Sequence, residues 1–546
     1  MKLWLLTILW LYSGYAFKSP RRWAQFQREL LTNANGKCNE YRPFRDDKTR
    51  MVCVCDSGQC HRMPALGNIT AGSSYHLASN MAGLRLATKR VRQGRKIDPS
   101  KIEGLCANVP KNGLKLKVKP SKKFQEMIGF GGAMTDAAAM NIDRMDNDEF
   151  EERLLGAYFS DEGLEYTLIR IPMASSDFST REYSYVNTPN DFTLDSFHLA
   201  EEDDWKIKFI RKAQKMARYP IKAFGSPWSA PAWMKTTGHM KGGGKLNPGA
   251  NYSEAWAQYF VRFIEDYNAQ GVPIWGVTVQ NEPSAGEDGE WKWQAMYFPP
   301  EDQANFVANH LGPALKQSKI ASSVKIMIHD DFRGNLPEWA DRTLANKEAA
   351  KYVDGIGVHW YGKADPERLS QTKEHHPDKF ILGTEACAGS GGAKEHVRLG
   401  DWGRAEAYMV DMIQDFSHQV SGWVDWNLAL DMGGGPNWVG NFVDSPILVN
   451  HTAHRFYLQP MLYAIAHFSK FVKPGAYRID SSMQGNEEAN LQSVAFENPD
   501  GSIVAVVYNS ADCTVALNVE DEMGHVHGLQ IDPRSFNTLL YKPEQP

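Results

Sequence analysis

The segment Ile274-Trp-Gly-Val-Thr-Val-Gln-Asn-Glu-Pro283 joins an apolar, β-branched run to a carboxylate that stands directly before a proline. The apolar run predicts a short buried strand, and the proline cannot continue it. Seven further runs of this kind occur in the central part of the chain, and amphipathic stretches such as 203–217, 253–268 and 300–317 are long enough to be helices between them. Strand–helix units repeated eight times predict an α/β fold, a parallel (β/α)8 TIM barrel.

The eight predicted strands span residues 127–133, 165–172, 221–224, 274–279, 324–328, 353–358, 380–384 and 420–424. Polar and aromatic residues follow seven of them: Asp177, Trp228, Glu282, Asp330, His359 with Trp360 and Tyr361, Glu385, and Asp425 with Trp426. Active sites of such barrels lie at the carboxyl ends of the strands. A single Trp or His at a strand end is ordinary packing, but seven such ends together predict an active-site mouth.

Glu282 follows the fourth strand and Glu385 ends the seventh, so the two carboxylates should face each other across the mouth. Hydrolysis of a glycosidic bond needs such a pair, one carboxyl group protonated and the other ionised. A separation of about 5 Å predicts retention through a covalent intermediate, and a separation of about 7–9 Å predicts inversion. We expect retention, with Glu282 as acid/base and Glu385 as nucleophile beside Arg170.

Neighbouring residues suit recognition of a sugar. The Asn281 amide is placed to bond the sugar 2-OH, and Asp177 offers an acceptor for other hydroxyls. Four aromatic side chains, each with core packing as the alternative, offer flat faces to a sugar ring: Phe178, Trp228, Tyr361 and Trp426.

The two ends of the chain differ from its centre. Short alternating strands near 75–78, 114–118, 493–497, 502–508 and 514–519 predict a second β domain, a sandwich assembled from both ends.

Residues 1–16 have the charge, apolar run and small residues of a secretory signal peptide. No later apolar run reaches the ~20 residues of a transmembrane helix. The net charge of −5 and the lack of basic runs argue against nucleic acid as a partner.

Seven cysteines are consistent with a secreted chain. Cys38, Cys53, Cys55 and Cys60 crowd one short segment, where two disulfides are favoured over a zinc site and three pairings are open. We expect the other three, Cys106, Cys387 and Cys513, to be unpaired and buried. Three sequons provide candidate glycosylation sites at Asn68, Asn251 and Asn450.

Several long motifs resemble the glucosylceramidases of glycoside hydrolase family 30, in one colinear match from about Cys38 to the C-terminus. They are Gly129-Phe-Gly-Gly-Ala-Met-Thr-Asp136, Arg170-Ile-Pro-Met-Ala-Ser-Ser-Asp-Phe178, Ser226-Pro-Trp228, Asn281-Glu-Pro-Ser-Ala-Gly286, Val358-His-Trp-Tyr361, Thr384-Glu-Ala-Cys387, Gly422-Trp-Val-Asp-Trp-Asn-Leu-Ala-Leu430, Gly435-Pro-Asn-Trp438 and Asn441-Phe-Val-Asp-Ser-Pro446.

The resemblance implies a barrel (126–427 plus 460–472), a β-sandwich (64–125 plus 473–546) and a small disulfide-bearing sheet (17–63 plus 428–459). It implies retaining hydrolysis of β-glucosides without metal or cofactor, with Glu282 and Glu385 in the roles above. It also implies the pairings Cys38–Cys53 and Cys55–Cys60. The residues that match positions lining the family's glucose site are Asp177, Phe178, Trp228, Asn281, Tyr361, Trp426 and Asn441.

The family hydrolyses glucosylceramide in membranes, helped by anionic lipid and a saposin-type activator. The resemblance therefore implies peripheral membrane contact and, with the signal peptide, a lysosomal location, with secretion as the alternative. The loops 287–298 and 362–372 depart from the mammalian members of the family, and we expect Trp291, Trp293 and Phe298 to form an apolar lip that meets lipid. Two alternatives stay open: a family 30 xylanase or β-1,6-glucanase, and an inactive secreted carbohydrate-binding protein.

Overall fold

The computed structural model describes residues 36–44, 47, 49–362, 364–391, 393–485 and 491–544. The predicted signal peptide, residues 1–16, lies outside the described residues. Three β-sheets organise the described chain: a closed barrel, a nine-stranded sheet and a five-stranded sheet.

The barrel consists of eight parallel strands, and its last strand pairs with its first. In chain order they are β1 (Gly129–Ala133), β2 (Leu168–Met173), β3 (Lys222–Pro227), β4 (Ile274–Thr278), β5 (Lys325–Phe332), β6 (Val353–His359), β7 (Phe380–Glu385) and β8 (Val420–Asn427). A Cβ at Gly131 would lie 2.0 Å from the Leu168 carbonyl oxygen, so the approach of β1 to β2 requires glycine there. The predicted fold class is confirmed.

The strand bounds differ from the predicted ones in an informative way. β5 continues through Asp330 and Asp331 to Phe332, and β8 continues to Asn427, whereas the apolar pattern ends earlier in both. Polar side chains inside the mouth of the barrel therefore hid the true ends of these strands. β2 begins at Leu168 rather than at Glu165, because Glu165 has φ of +55°, a conformation incompatible with a strand.

Helices follow the strands and surround the barrel. They span Asp136–Asp143, Asp148–Phe159, Glu201–Met216, Ala250–Ala269, Pro300–Phe306, Gly312–Gln317, Glu338–Leu344, Lys347–Tyr352, Glu367–His375, Trp402–Ser417 and Pro460–Ser469. In the helix Ala250–Ala269, the buried residues Trp256, Phe260, Phe263 and Tyr267 recur every three or four positions and form its core-facing stripe. Among the described residues, no helix combines the length and the apolar character needed to cross a bilayer.

The lower interior of the barrel is closed by a layer of apolar side chains. Leu168, Phe224, Met327, Leu382 and Val424 come from five different strands and pack against one another. Side chains alternate between the two faces of a strand, so residues two positions further along point inward at the next level. The inward residues of that next level include Arg170, Ser226, Thr384 and Trp426, which belong to the candidate active site.

The nine-stranded sheet is assembled from both ends of the described chain, as the sequence predicts. Its strands, in sheet order, are Val526–Ile531, Val515–Asp521, Leu114–Glu126, Tyr477–Gln484, Leu491–Glu497, Ile503–Asn509, Ser535–Tyr541, Ser74–Asn80 and Ala87–Arg90. Along the strand Ile503–Asn509, successive side chains point into two different cores. Ile503, Ala505 and Val507 face the core of the sandwich itself. Val504 and Val506 face the large core shared with the barrel, so the sandwich is docked through buried apolar contacts.

The five-stranded sheet joins the N-terminal region to the segment that follows β8. Its order is Glu40–Tyr41, Val52–Cys55, Arg455–Leu458, Ile447–Asn450 and Leu430–Asp431. Disulfides Cys38–Cys53 and Cys55–Cys60 close its N-terminal part, the pairing that the resemblance implies.

The expectation that Cys106 and Cys513 are unpaired is wrong. They form a third disulfide across 407 residues of sequence, with Cα atoms 5.2 Å apart. Leu105 and Thr514 form an isolated parallel bridge beside it, so backbone pairing next to the nine-stranded sheet brings the two cysteines together. Their separation in sequence hid the pair. Cys387 is buried and is the one cysteine without a disulfide in the part of the chain described here.

Loss of the Cys106–Cys513 bridge is expected to lower the free energy of unfolding by about 2–5 kcal/mol, because the bridge closes a very long loop in the unfolded chain. Cys106→Ser, Cys513→Ser and the double variant should be destabilised equally, since each breaks the same bond. Urea unfolding of the oxidised proteins measures this. A double variant whose loss is the sum of the two single losses would show that the cysteines contribute separately and that the bridge is not the cause.

Candidate active site

Glu282 and Glu385 lie together in the mouth of the barrel. Glu385 is the last residue of β7, and Glu282 follows β4; both residues are at least nine-tenths buried. One carboxylate oxygen of Glu282 lies within 4.8 Å of one of Glu385. The side chains predicted to face each other across the mouth therefore do so at short range.

The backbone around Glu282 is held in an unusual conformation. Glu282 has φ of +40° and Asp330 has φ of +52°, values that non-glycine residues seldom adopt. The Glu282 N–H donates to the Asp330 carbonyl oxygen at 2.9 Å, which ties the two strained positions together. Such strain costs of the order of 1–3 kcal/mol per residue and concentrates at functional sites.

The Glu385 carboxylate is held by two donors. The fully buried Arg170 guanidinium contacts one oxygen, and the Tyr361 hydroxyl donates to the other at 2.9 Å. Arg170 also donates to Asn281 Oδ1 at 2.7 Å and to Asp330 Oδ2 at 2.9 Å. Arg170 and Glu385, expected from the sequence to be neighbours, form an ion pair.

The Glu282 carboxyl group has a different environment, with His359 Nδ1 3.1 Å from its Oε1. Burial raises the pKa of Glu282 to about 7, although the hydrogen bond and charge of His359 act in the opposite direction. The two glutamates therefore differ in surroundings: one has a permanent cation against it and the other is poised to hold a proton near neutrality.

His359 and Asp330 extend this network beneath the two glutamates. Burial alone would lower the pKa of His359, but the negative charge of Glu385 and hydrogen bonds to two further carboxyl groups raise it to about 10. Burial would also raise the pKa of Asp330, but Arg170 and the hydrogen bond from His359 hold it well below its usual range. The Thr278 and Thr384 hydroxyls each donate to Asp330 at 2.6 Å.

Charge balance follows from this arrangement. Arg170 and His359 supply two buried positive charges, and Asp330 and Glu385 supply two negative charges in contact with them. A third carboxylate, on Glu282, would leave the buried cluster with net negative charge, which low local polarity penalises. From the sequence, His359 and Asp330 were expected only as strand-end residues, and this role was not predicted. Both lie at the carboxyl ends of barrel strands, which is the one feature of the sequence that could have indicated it.

A cavity of about 220 Å³ opens above the glutamates. Among its lining residues are Asp177, Trp228, Asn281, Glu282, Tyr361, Glu385, Trp426 and Asn441, eight of the nine residues predicted for the site. Trp228 and Trp426 are stacked with ring centroids 5.0 Å apart, and both flank the Arg170 guanidinium.

Asn441 Nδ2 donates to Asp177 Oδ2 at 2.9 Å. Burial raises the pKa of Asp177 to about 7, against the effect of that hydrogen bond.

Phe178 is the ninth residue, and it does not line the cavity. Its ring is fully buried and meets the Trp426 ring edge-on, with centroids 5.9 Å apart. Phe178 therefore supports Trp426 from behind, and the expectation that it offers its face to a sugar is wrong.

The outer wall of the cavity contains further apolar residues. They include Trp291, Trp293, Phe332 and Val443, together with Ser390, Gly391 and Cys387. The Trp291 and Trp293 rings meet edge-on with centroids 4.8 Å apart. Phe298 is only 4% exposed and packs against Phe306, so its predicted place in an apolar lip is wrong. Cys387 and Phe332 carried no sequence signal that placed them here.

One nitrogen of His359 and one oxygen each of Glu282 and Glu385 lie within 4.8 Å of one another, a donor set that in type and number could hold a divalent cation. Arg170 already places a permanent positive charge against Glu385, and His359 carries a second. A divalent cation would be repelled by both, so the cluster fits a hydrogen-bonded acid–base network better than a metal centre.

Comparison with known proteins agrees with this geometry. Residues 127–472 match the model of the glycosyl hydrolase family 30 TIM-barrel domain, and residues 475–539 match that of the family 30 beta sandwich domain. The chain is 43% identical over 485 residues to the lysosomal acid glucosylceramidase of Mus musculus, covering 86% of this chain and 89% of that protein.

It is also 41% identical over 516 residues to putative glucosylceramidase 3 of Caenorhabditis elegans, covering 94% of this chain and 96% of that protein. Among solved structures, SrfJ from Salmonella typhimurium superimposes with a TM-score of 0.77 at 29% identity, over 86% of this chain and all of that one. With paired buried carboxylates at the mouth of the matched barrel, the chain belongs to glycoside hydrolase family 30 and is a glycosidase.

Proposed function

We propose that this protein is a retaining β-glucosidase that hydrolyses glucosylceramide to glucose and ceramide. The observation that carries the proposal is the short distance between the carboxylates: oxygens of Glu282 and Glu385 lie within 4.8 Å. Retaining glycosidases have carboxyl groups about 5 Å apart, whereas inverting ones need a wider gap for water. The glucosylceramidases similar to this chain support the choice of substrate.

In the first step, Glu385 attacks the anomeric carbon of glucose while Glu282 gives its proton to the ceramide oxygen. The bond from the anomeric carbon to that oxygen breaks, a glycosyl ester with Glu385 forms, and ceramide leaves. Protonated Glu282 can still accept the His359 hydrogen bond through Oε1, because the proton resides on its other oxygen. Arg170 and Tyr361 hold Glu385 in position for the attack.

In the second step, the Glu282 carboxylate takes a proton from water, and the resulting hydroxide equivalent attacks the anomeric carbon. The ester bond breaks, Glu385 regains its carboxylate, and glucose leaves with its original configuration. Asn281 accepts from Arg170 through its oxygen, so its amide nitrogen is the group that donates to the sugar 2-OH.

The remaining cavity residues fit the other parts of a glucose ring. Asp177 and Asn441 offer polar atoms to hydroxyl groups, and Trp228, Trp426 and Tyr361 offer apolar faces to the ring. The outer wall then receives the start of the aglycone. In this proposal the protein makes peripheral contact with membranes, and anionic lipid and a saposin-type activator assist it.

The outer wall is expected to matter for lipid substrate and not for soluble substrate. Replacing Trp291 and Trp293 together with serine should lower activity on glucosylceramide in anionic vesicles by at least about tenfold, since two large apolar side chains are worth more than 1.4 kcal/mol of contact. Hydrolysis of a soluble aryl β-glucoside should change little. Trp275→Ser is a tryptophan control, because Trp275 packs against the apolar layer in the lower interior of the barrel and does not line the cavity. Unchanged vesicle binding and lipid hydrolysis would refute the role of this wall.

The dependence of activity on pH should follow the Glu282 proton. Because burial raises its pKa to about 7, kcat/KM should be high on the acidic side and fall about tenfold per pH unit above that value. His359 lowers the pKa of Glu282, so in a His359→Asn variant the fall in kcat/KM should begin at a higher pH. Initial rates with an alkyl β-glucoside, whose poor leaving group needs the Glu282 proton, measure this at pH values where both proteins stay folded. If the fall in kcat/KM stays at the same pH or moves to lower pH in this variant, Glu282 is not the group that titrates.

An acid that is protonated below about pH 7 suits an acidic compartment. We therefore propose delivery to the lysosome through the secretory pathway, as the name of the mouse relative suggests, with secretion as the alternative. Co-localisation of the tagged full-length chain with an acidic-organelle marker, against its recovery from the medium, distinguishes the two.

A direct comparison of substrates tests the proposed function. Glucosylceramide in mixed micelles should be hydrolysed with a higher kcat/KM than galactosylceramide, an aryl β-xyloside or a β-1,6-linked glucan. Preference for the xyloside or the glucan would assign the chain to another activity of its family. Binding without turnover of any of them by the folded protein would support the inactive carbohydrate-binding alternative.

A further inference from the structure

A second cavity, of about 230 Å³, lies where the barrel meets the sandwich, and none of its lining residues lines the active-site cavity. Six separate parts of the chain form its wall: the segment 64–69, Glu165 before β2, Tyr219 beyond the helix Glu201–Met216, the segment 470–474 after the last helix, the sandwich turn 498–502, and Leu540 in the strand Ser535–Tyr541. A ligand there would contact both the barrel and the sandwich. The volume is below the ~300–1,000 Å³ of pockets for drug-sized ligands and suits a single ring.

The chemistry of the wall resembles that of a sugar site. Pro64, Pro474, Pro499 and Tyr219 present rings, which pack by dispersion against the C–H face of a sugar. Asn498, Asp500 and Ser502 stand beside them; they bond one another and the backbone, and their oxygens have lone pairs left to accept from sugar hydroxyls. The charged side chains of Glu165, Lys470 and Lys473 also line the cavity. This mixture of flat apolar surface and a few polar groups is the pattern of a carbohydrate subsite and not of a lipid groove.

One residue of this wall is itself an attachment point for sugar. Asn68 begins the sequon Asn68-Ile-Thr70, its side chain is exposed, and it lines the cavity. Its carboxamide oxygen accepts a hydrogen bond from Arg218 Nη2 at 2.8 Å. An N-linked glycan is carried by the amide nitrogen, so this hydrogen bond is compatible with the modification and fixes the plane of the amide. The adjacent Ile69 is buried and anchors the segment.

We propose that Asn68 carries an N-linked glycan whose first N-acetylglucosamine occupies this cavity and joins the barrel to the sandwich. The sugar comes from a lipid-linked oligosaccharide pyrophosphate of the secretory pathway. The bond from the Asn68 amide nitrogen to the sugar C1 forms, the C1–oxygen bond to the lipid pyrophosphate breaks, and the amide loses one proton to base. Asn68 is exposed at the edge of the cavity, so the rest of the glycan can extend from the first sugar into solvent.

The test uses the full-length chain secreted from a eukaryotic host that makes oligomannose glycans. Peptide mass spectrometry gives the occupancy of Asn68, and hydrogen exchange reports on segments 64–70 and 498–502. Thr70→Ala removes the sequon and leaves Asn68 itself unchanged, whereas Thr70→Ser retains both sequon and hydroxyl. Endoglycosidase H trims every glycan to its first N-acetylglucosamine, and Asn251→Gln removes a glycan site whose asparagine does not line this cavity.

The proposal predicts that Asn68 is occupied and that Thr70→Ala loses exchange protection in both segments and has a lower Tm. The Thr70→Ser, Asn251→Gln and endoglycosidase H-trimmed proteins should keep the protection of the parent. An unmodified Asn68 would overturn the proposal, as would unchanged protection in Thr70→Ala. Loss of protection on trimming would also overturn it, because the outer sugars would then be responsible. None of these readouts depends on catalysis, so the result is independent of the proposed function.

Discussion

Replacing Glu385 with glutamine is expected to lower kcat/KM on the order of 10⁵-fold, because the proposed mechanism then has no group that can form the glycosyl ester. The amide is similar in size to the carboxylate and can keep one hydrogen bond, so the fold should persist. The loss should be similar for glucosylceramide and for activated aryl glucosides, since both need the nucleophile. Steady-state rates with both substrates, on protein with an unchanged near-ultraviolet circular dichroism spectrum, measure the effect.

Glu287→Gln provides the matched control. Glu287 is an exposed glutamate five residues beyond Glu282, close in sequence to the mouth but absent from the cavity wall. Its replacement removes the same charge and should leave kcat/KM nearly unchanged. A Glu385→Gln variant with a substantial residual rate would remove Glu385 from the nucleophile's role.

Replacing Glu282 with glutamine is expected to have an effect that depends on the leaving group. General acid catalysis contributes about 10²–10⁴-fold, and the full factor should be lost for glucosylceramide, whose alkoxide is a poor leaving group. An aryl glucoside with a strongly acidic phenol needs little protonation, so its glycosyl ester should still form. Breakdown of that ester then becomes slow, because no base activates water.

Added azide distinguishes this mechanism from a general loss of structure. Azide needs no base, so it should restore turnover of the activated substrate by Glu282→Gln and give β-glucosyl azide. The variant should also lose the fall in kcat/KM near pH 7, since that proton is gone. Equal losses on both substrates with no rescue by azide would contradict the role of Glu282 as acid/base.

The barrel could be predicted from the sequence because its signal is local. Each strand is a short apolar run, seven of the eight are followed by polar or aromatic residues, and amphipathic stretches lie between most of them. Glu282 and Glu385 could be placed at facing strand ends because strand order fixes position in a closed barrel. The same reasoning misplaced the end of β5, since Asp330 and Asp331 interrupt the apolar pattern inside the mouth itself.

The remaining errors concern contacts that sequence does not encode locally. Cys106 and Cys513 are 407 residues apart and meet only because the two chain ends form one sheet. Phe298 and Trp291 occur in the same loop, and no pattern distinguishes the aromatic residue that packs inward from the one that lines the cavity. His359 and Asp330 meet at the level just above the apolar layer of the barrel. Which residues share that level depends on the register between the strands, and the sequence alone does not define this register.

Trapping the glycosyl ester tests the central proposal most directly. A 2-deoxy-2-fluoro-β-glucosyl fluoride should glycosylate the enzyme and leave it trapped. Fluorine at C2 slows both formation and breakdown of the ester, and the good leaving group at C1 speeds formation alone, so the ester accumulates. The account predicts one 2-fluoroglucosyl group per chain, located by peptide mass spectrometry on Glu385. An adduct on another residue, or continued hydrolysis with inverted product and no adduct from the folded protein, would contradict it.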